Sequence, residues 1–259
     1  MIMLIDQWQY ELTIWIWSAL ACCAFILLMF VRAPYGRHER PGWGAKIPAR
    51  SGWIIMESPS IIVITVFFGI AVSQWNYIDP IGVIFYVIWI AHYINRTIIW
   101  PFRARIKGKS MPISIALFAL LFNGVNSWIN AEWIFSLHYP YPISWLYSPQ
   151  FITGLVLYII GMGINISSDN RLFELRNHGD KDYKIPRGGL FEWVSCPNYF
   201  GEILEWLGWA IATWSLAGLS FALWVIANLA PRARSNHQWY KENFSDYPKS
   251  RKKLIPGIW

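Results

Sequence analysis

The run LTIWIWSALACCAFILLMFV, Leu12–Val31, carries no charge. It is as long as a bilayer-crossing helix, which takes roughly 20 predominantly apolar residues. Ile81–Trp100 repeats the pattern with Arg96 near its end, and Trp53–Gln74 repeats it around Glu57. Ile113–Ile129, Phe151–Ser168, Tyr199–Thr213 and Leu216–Ala230 are shorter or more polar, and the last two need flanking residues to cross. The expectation is an all-α integral membrane protein: one membrane-embedded domain over residues 1–259, with spans at about 12–31, 53–74, 81–100, 113–129, 151–168, 199–213 and 216–230 and a tail at 231–259.

Composition agrees. Apolar residues make up 55% of the 259 and charged residues only 14%, against about a quarter in a soluble domain. That excludes disorder, a coiled coil and a disulfide scaffold. The net charge of +7 follows topology. Arg32–Arg50, Arg103–Lys109, Arg171–Arg187 and Arg232–Lys253 follow spans one, three, five and seven, while residues 1–11, 75–80, 130–149 and 214–218 contain no Lys or Arg. The positive-inside rule then puts the N-terminus outside and the C-terminus in the cytoplasm. The basic face suits anionic lipid. No groove-reading motif accompanies it, so nucleic acid is not an expected partner. Without a basic n-region or cleavage pattern, span one reads as retained. Cys22, Cys23 and Cys196 and the scattered histidines fit no disulfide or metal pattern.

Polar residues at membrane depth are costly and usually face a bundle interior. Glu57 sits in WIIMESPSIIVITV, where Pro59 breaks or kinks the helix; a polar pocket and a Glu snorkelling to the headgroups both fit. In AHYINRT, the spacing of His92, Tyr93 and Arg96 lets them share one broad helix face, and Tyr93 offers a neutral donor or an aromatic-belt side chain. Asn165, Asp169 and Arg176 fall on another face, able to read ribose, adenine and phosphate, or simply to be a capped, solvated helix end. In IPRGGLFEWVSCPNYFGEILEW, Gly188–Gly189 permits a tight backbone approach and Pro197 reads as a first-turn proline. Asn198, Glu202 and Glu205 then line one face of span six. Two acids there must meet protein or water, in a functional site or a packing network. Gly161-Met162-Gly163 is no dinucleotide fingerprint, because the third glycine and the preceding strand are missing. The basic, aromatic tail from Arg232 onward reads as a membrane-surface segment or a lid on an anionic cofactor.

These segments resemble the steroid 5α-reductase family. The likeness is carried by Met56-Glu57-Ser58-Pro59-Ser60, by His92-Tyr93-Ile94-Asn95-Arg96-Thr97, by GMGINISSDNRLFELR at 161–176, by IPRGGLFEWVSCPNYFGEILEW and by FSDYPKSRKKLIPGIW at 244–259. It covers most of the chain and is densest from Gly161 onward. That later part is shared with enoyl-CoA and polyprenol reductases, and isoprenylcysteine methyltransferases have a similar C-terminal core, so a reductase of another conjugated lipid and a membrane methyltransferase are the alternatives. Glu57 and HYINRT narrow the match to the steroid-reducing branch. The resemblance implies a seven-helix membrane fold that reduces the C4–C5 double bond of 3-oxo-Δ4-steroids with NADPH. It implies that Glu57 and Tyr93 hold the 3-keto oxygen. It implies that Asn165, Asp169, Arg176, Tyr183, Asn198, Asn236 and Tyr240 contact NADPH, with Glu202 at the nicotinamide end and Arg232 in a cofactor-closing segment. Asn236 stands where relatives carry a histidine, and Lys184 where they carry an arginine.

The chemistry is consistent with the residues. Hydride addition to an enone's β-carbon leaves negative charge on the carbonyl oxygen, which a preplaced donor stabilises in a low-dielectric site. The cofactor supplies the difficult step, so no nucleophile is needed. The steroid would enter from lipid and the cofactor from the cytosol, in an endoplasmic-reticulum or bacterial inner membrane. The sequence does not fix the oligomeric state; a monomer fits.

Overall fold

The computed structural model describes residues 6–32, 38, 42–175 and 183–259. Helices dominate: α1 (Gln7–Phe30), α2 (Ala49–Trp75), α3 (Pro80–Ile94), α4 (Trp100–Arg103), α5 (Ile113–Glu132), α6 (Pro149–Glu174), α7 (Pro197–Thr213) and α8 (Leu216–Asn243). A short antiparallel pair, β1 (Lys46–Pro48) with β2 (Ser110–Pro112), is an addition to the expected all-α chain. Among the described residues, six helical stretches are long and apolar enough to cross a membrane: Gln7–Phe30, Ala49–Trp75, Pro80–Arg103, Ile113–Leu137, Pro149–Glu174 and Leu216–Asn243. The expected sixth crossing corresponds to α7, which has 17 residues and is the shortest of the seven. The first part of the stretch expected as a tail, from residue 231, is helical. Helix α8 passes through Pro231 and continues to Asn243.

The chain forms two compact units, Met1–Trp15 with Pro34–Ile152 and Ile16–Ala33 with Thr153–Trp259. In the first, β1 and β2 start α2 and α5 side by side, with Ala49 N bonded to Lys109 O and Ile113 N to Ala45 O. The two helices run parallel in a fixed register. Asn123 Nδ2 donates to Met56 O at 2.7 Å, and twelve residues further along both helices Phe68 packs edge-on to Phe135. Against α2, α3 runs antiparallel. Trp53 Nε1 donates to Arg96 O at 2.8 Å and Trp89 Nε1 to Ser60 O at 2.9 Å. Helix α3 starts at Asp79, whose carboxylate caps Ile81 N and Gly82 N ahead of Pro80 at the first position. The same carboxylate accepts from Tyr141 N.

Proline shapes two of these helices differently. Pro59 does not break α2, which runs on to Trp75. Its missing N–H frees Ile55 O, and Ser58 Oγ donates to that carbonyl at 2.9 Å, the kind of repair that lets proline persist in an apolar helix. Pro101 lacks the N–H that would reach Thr97 O, and the turn before it widens into a π-turn over Asn95–Ile99, with Trp100 N bonded to Asn95 O.

In the second unit, α6 and α7 pack antiparallel with their backbones in contact at paired glycines. A Cβ on Gly161 would strike Glu205 N and, at 2.6 Å, Gly201 O; one on Gly208 would strike Tyr158 N and, at 2.6 Å, Gly154 O. Ser215 caps α8 through Gly218 N, and Trp206 lies 4.1 Å from Phe221 across the α7–α8 pair. The α1 residues of this unit meet α8 through Trp17–Trp224 and Ser18 Oγ–Ser220 Oγ at 3.0 Å. The C-terminal segment is bound in as well: Ser195 N donates to Lys252 O and Lys252 N to Trp193 O.

Gly161 and Gly163 test the close approach. Gly161→Ala should destabilise the protein by about 1–3 kcal/mol through overpacking. Gly163, whose Cβ would meet nothing within 4 Å, should tolerate alanine with a gain of up to about 1 kcal/mol from helix propensity. Thermal unfolding of the two variants in detergent checks the contrast.

Candidate functional site

In the first unit the bonds Trp53–Arg96 and Ser60–Trp89 bracket Glu57 and set it level with His92 and Tyr93 on the neighbouring helix. The carboxyl group of Glu57 is half-buried and accepts from Asn123 Nδ2 at 3.2 Å, the amide that also reaches Met56 O. Glu57 therefore faces protein rather than snorkelling away from it. Tyr93 is 3% exposed and His92 4%. The phenol ring lies 5.2 Å from Trp89 and 5.0 Å from His92. The structure thus brings the two expected carbonyl-holding side chains to one level of adjacent helices.

Arg96, expected on the same broad face, is less buried than His92 and Tyr93. In the π-turn the residues after Ile94 advance less per step around the axis, so Thr97 turns inward, 3% exposed, while Arg96 is only half-buried. Its guanidinium lies 5.1 Å from the Trp53 ring and 5.3 Å from the Trp100 ring, a cation–π seat.

In the second unit, four expected residues join into one network. Asn165 Nδ2 donates to Asn198 O at 3.0 Å and to Glu202 Oε2 at 3.2 Å, and Asn198 Nδ2 donates to Asp169 Oδ1 at 3.0 Å. The glycine contacts make this possible, since a Cβ on Gly201 would lie 2.5 Å from Asn165 N. Glu205, on the same stripe of α7, is fully buried. Arg232 lies over the Tyr199 ring at 5.4 Å. Asn236 Nδ2 reaches Tyr199 OH at 3.5 Å and Cys196 Sγ at 3.7 Å, so those two expected residues meet at Tyr199. Tyr240 is buried and stacked on Tyr247 at 5.2 Å, and Tyr183 meets Trp239 edge-on at 5.0 Å. Arg176 lies outside the described residues.

Several neighbours were missed by the sequence reading. Asn123 is a lone amide in an apolar run, and a scan for ionisable groups passes over it. At Gly188 and Gly189, the pair expected to permit a tight backbone approach, φ is +81° and +55°, and the group that the sequence did not announce is the Arg171 guanidinium, 2.7 Å from a Cβ on Gly188. Ser195 Oγ lies 2.6 Å from both His237 Nδ1 and Tyr247 OH and donates to Lys252 O at 3.1 Å. Arg251, 2% exposed, donates to Pro186 O at 3.1 Å and faces Glu192 at 3.8 Å. Burial pushes the Tyr247 phenol above its ordinary pKa, against the opposing pull of Ser195 and Arg251. These contacts join residues distant in sequence, so no local spacing announces them.

Chemically, the first unit presents a carboxyl level with a buried phenol, and the second an amide–carboxylate network with arginines nearby. The profile described as 3-oxo-5-alpha-steroid 4-dehydrogenase matches residues 109–259. The chain is similar to the steroid 5-alpha-reductase DET2 of Gossypium hirsutum, 42% identical over 258 residues, covering 98% of this chain and 99% of that one. It is similar to the 3-oxo-5-alpha-steroid 4-dehydrogenase 1 of Bos taurus, 39% identical with 93% of each chain covered. The human protein of the same name is 38% identical, covering 93% of this chain and 92% of that one.

Asn123→Leu removes the amide that bonds both Met56 O and Glu57. A loss of about 1–3 kcal/mol in stability is expected, read as a lower thermal midpoint of the detergent-solubilised protein.

Proposed function

Because the chain belongs to the 3-oxo-5-alpha-steroid 4-dehydrogenase family, we propose that it reduces the C4–C5 double bond of 3-oxo-Δ4-steroids to 5α-3-oxosteroids with NADPH. The observation that carries this reading is the buried Tyr93 phenol held level with Glu57. Tyr93 donates a hydrogen bond to the steroid 3-keto oxygen, and Glu57, oriented by Asn123, completes the grip. As hydride reaches C5, negative charge develops on that oxygen. A fixed donor in an apolar surround stabilises it more than water would, because it needs no reorientation.

The second unit's donor set fits the cofactor. Asn165, Asp169, Asn198 and Glu202 alternate amides with carboxylates, suited to ribose hydroxyls and a carboxamide. Arg232 and Arg176 suit phosphate, and Tyr183, Asn236 and Tyr240 complete the set. The Arg171 guanidinium, lying against the glycine pair, adds a further cation to this set. When bound, NADPH supplies the hydride. The chain's residues orient it and keep water from the reacting centre.

The protein is an integral multi-pass membrane protein. We take α7 as a seventh crossing and place the N-terminus outside and the C-terminus in the cytoplasm, since the Lys and Arg residues alternate between loops in that sense. The steroid then arrives from lipid and NADPH from the cytoplasm.

Purified protein should oxidise NADPH when given progesterone, with loss of the enone absorbance. A wild-type preparation that does neither across a panel of Δ4-3-ketosteroids would sink the assignment. Tyr93→Phe should lower kcat/KM by about 10²–10³-fold while NADPH binding, followed by nucleotide fluorescence, is retained. Asn198→Leu should do the reverse, weakening NADPH binding first.

A further inference from the structure

Helix α5 carries Asn123, Asn126, Ser127 and Asn130 at positions i, i+3, i+4 and i+7, a polar stripe on one face, with all four side chains at most 5% exposed. The two bonds of Asn123 show that this face turns towards α2. In the register set by Asn123–Met56 and Phe135–Phe68, Ser127 lies level with Ser60 of α2. Both serines are fully buried. Ser60 Oγ, Ser127 Oγ and Asn126 Nδ2 have no hydrogen-bond partner among the described residues. Ser60 stands one turn beyond Glu57.

Three such atoms near one level of a helix pair each need a partner, because a buried polar group left unmade forfeits the hydrogen bonds it had in water. The apolar body of a steroid offers none. One water offers all of them: it accepts from the Asn126 amide and donates to the two serine hydroxyls, the three bonds usual for a buried water. We infer that Ser60, Asn126 and Ser127 hold a bridging water in the α2–α5 seam, and that this water returns to Glu57 the proton consumed in each turnover.

The role rests on the reading above that Glu57 lies at the carbonyl end of the steroid, and adds that its carboxyl group supplies the C4 proton. Hydride brings an electron pair to C5 and leaves an enolate whose oxygen stays hydrogen-bonded to Tyr93. The Glu57 carboxyl O–H breaks as the C4–H bond forms, and the enolate electrons close back to the C3 carbonyl. The Glu57 carboxylate then takes a proton from the seam water through the Ser60 hydroxyl, which makes no bond to Glu57 at rest and rotates about its Cα–Cβ bond to pass the proton on, and a solvent proton neutralises the hydroxide left behind. The net addition is one hydride and one proton.

The full-length protein, assayed with NADPH and progesterone in H2O and D2O, tests the role. Ser60→Ala and Ser127→Ala should each lower kcat roughly tenfold or more. They should leave KM and the NADPH dissociation constant within about twofold, and raise the solvent isotope effect on kcat as proton return becomes limiting. Ser127→Thr, which keeps the hydroxyl, should stay near wild type. Unchanged kcat and isotope effect in the double alanine variant would overturn the inference, as would a Thr variant no better than Ala. The water itself is tested without turnover: a high-resolution crystal structure from a lipid mesophase should show density within hydrogen-bonding distance of Asn126 Nδ2 and both hydroxyls. A dry seam overturns this inference alone. Wild-type protein inactive on Δ4-3-ketosteroids overturns the assigned reaction and the proton role with it, and the density still decides the water.

Discussion

Hydrocarbon offers no hydrogen bonds, so a polar group carried into an apolar helix has to find its partner within the protein. Most of the geometry near the candidate site follows from that constraint. Asn123 satisfies a main-chain carbonyl and a carboxyl of α2 with one amide. Trp53 and Trp89 bond carbonyls of the helix they face. Tyr10 reaches Ile129 O at 2.8 Å. Dispersion between apolar side chains tolerates sliding, whereas a hydrogen bond of fixed length does not. These few bonds therefore set the register of α2 against α3 and α5, and the register puts Glu57 level with Tyr93.

The second unit reaches the same end through glycine. An amide side chain on α6 bonds a main-chain carbonyl of α7 only if the two backbones nearly touch. Gly154 and Gly161 on one helix face Gly208 and Gly201 on the other, and each would collide with the opposite backbone if it carried a Cβ. Small residues at such a seam are how membrane helices approach closely. Here the approach also aligns Asn165, Asp169, Asn198 and Glu202, so packing and the polar network are one arrangement. Gly161 and Gly163 superficially suggest a phosphate loop, yet Gly161 serves helix packing and Gly163 faces open space.

What the sequence made legible were features of spacing within one helix. Six of the expected crossings appear as long apolar helices, Pro197 begins α7, and the stripes Asn165–Asp169 and Asn198–Glu202 meet as their periodicities allow. Features that depend on a second segment were not legible. Asn123 gains meaning only from Met56 and Glu57, and Ser195 only from His237, Tyr247 and Lys252, because contact partners far apart in the chain leave no local pattern. Of the break or kink expected at Pro59, the break is absent, and Ser58 bonds the freed carbonyl; before Pro101 lies a π-turn that ideal helical spacing could not anticipate. Past Ala230 the charged residues suggested a membrane-surface segment or a lid and not a continuing helix, yet α8 runs on to Asn243 with Ala233 and Tyr240 buried.

Arg96 bears on which donors stand near Glu57, since a guanidinium pointed at that level would present a permanent cation at membrane depth. Such a cation would favour ligands that are already anionic and would carry a desolvation cost for any that are not. The guanidinium instead lies against Trp53 and Trp100, and His92, Tyr93 and Thr97 are buried. A phenol donor has little preference between a neutral ketone and bulk water, but its hydrogen bond strengthens as the carbonyl oxygen acquires charge. That difference between ground and transition state is what accelerates a reaction, and at this level it is the buried Tyr93 rather than Arg96 that offers such a donor.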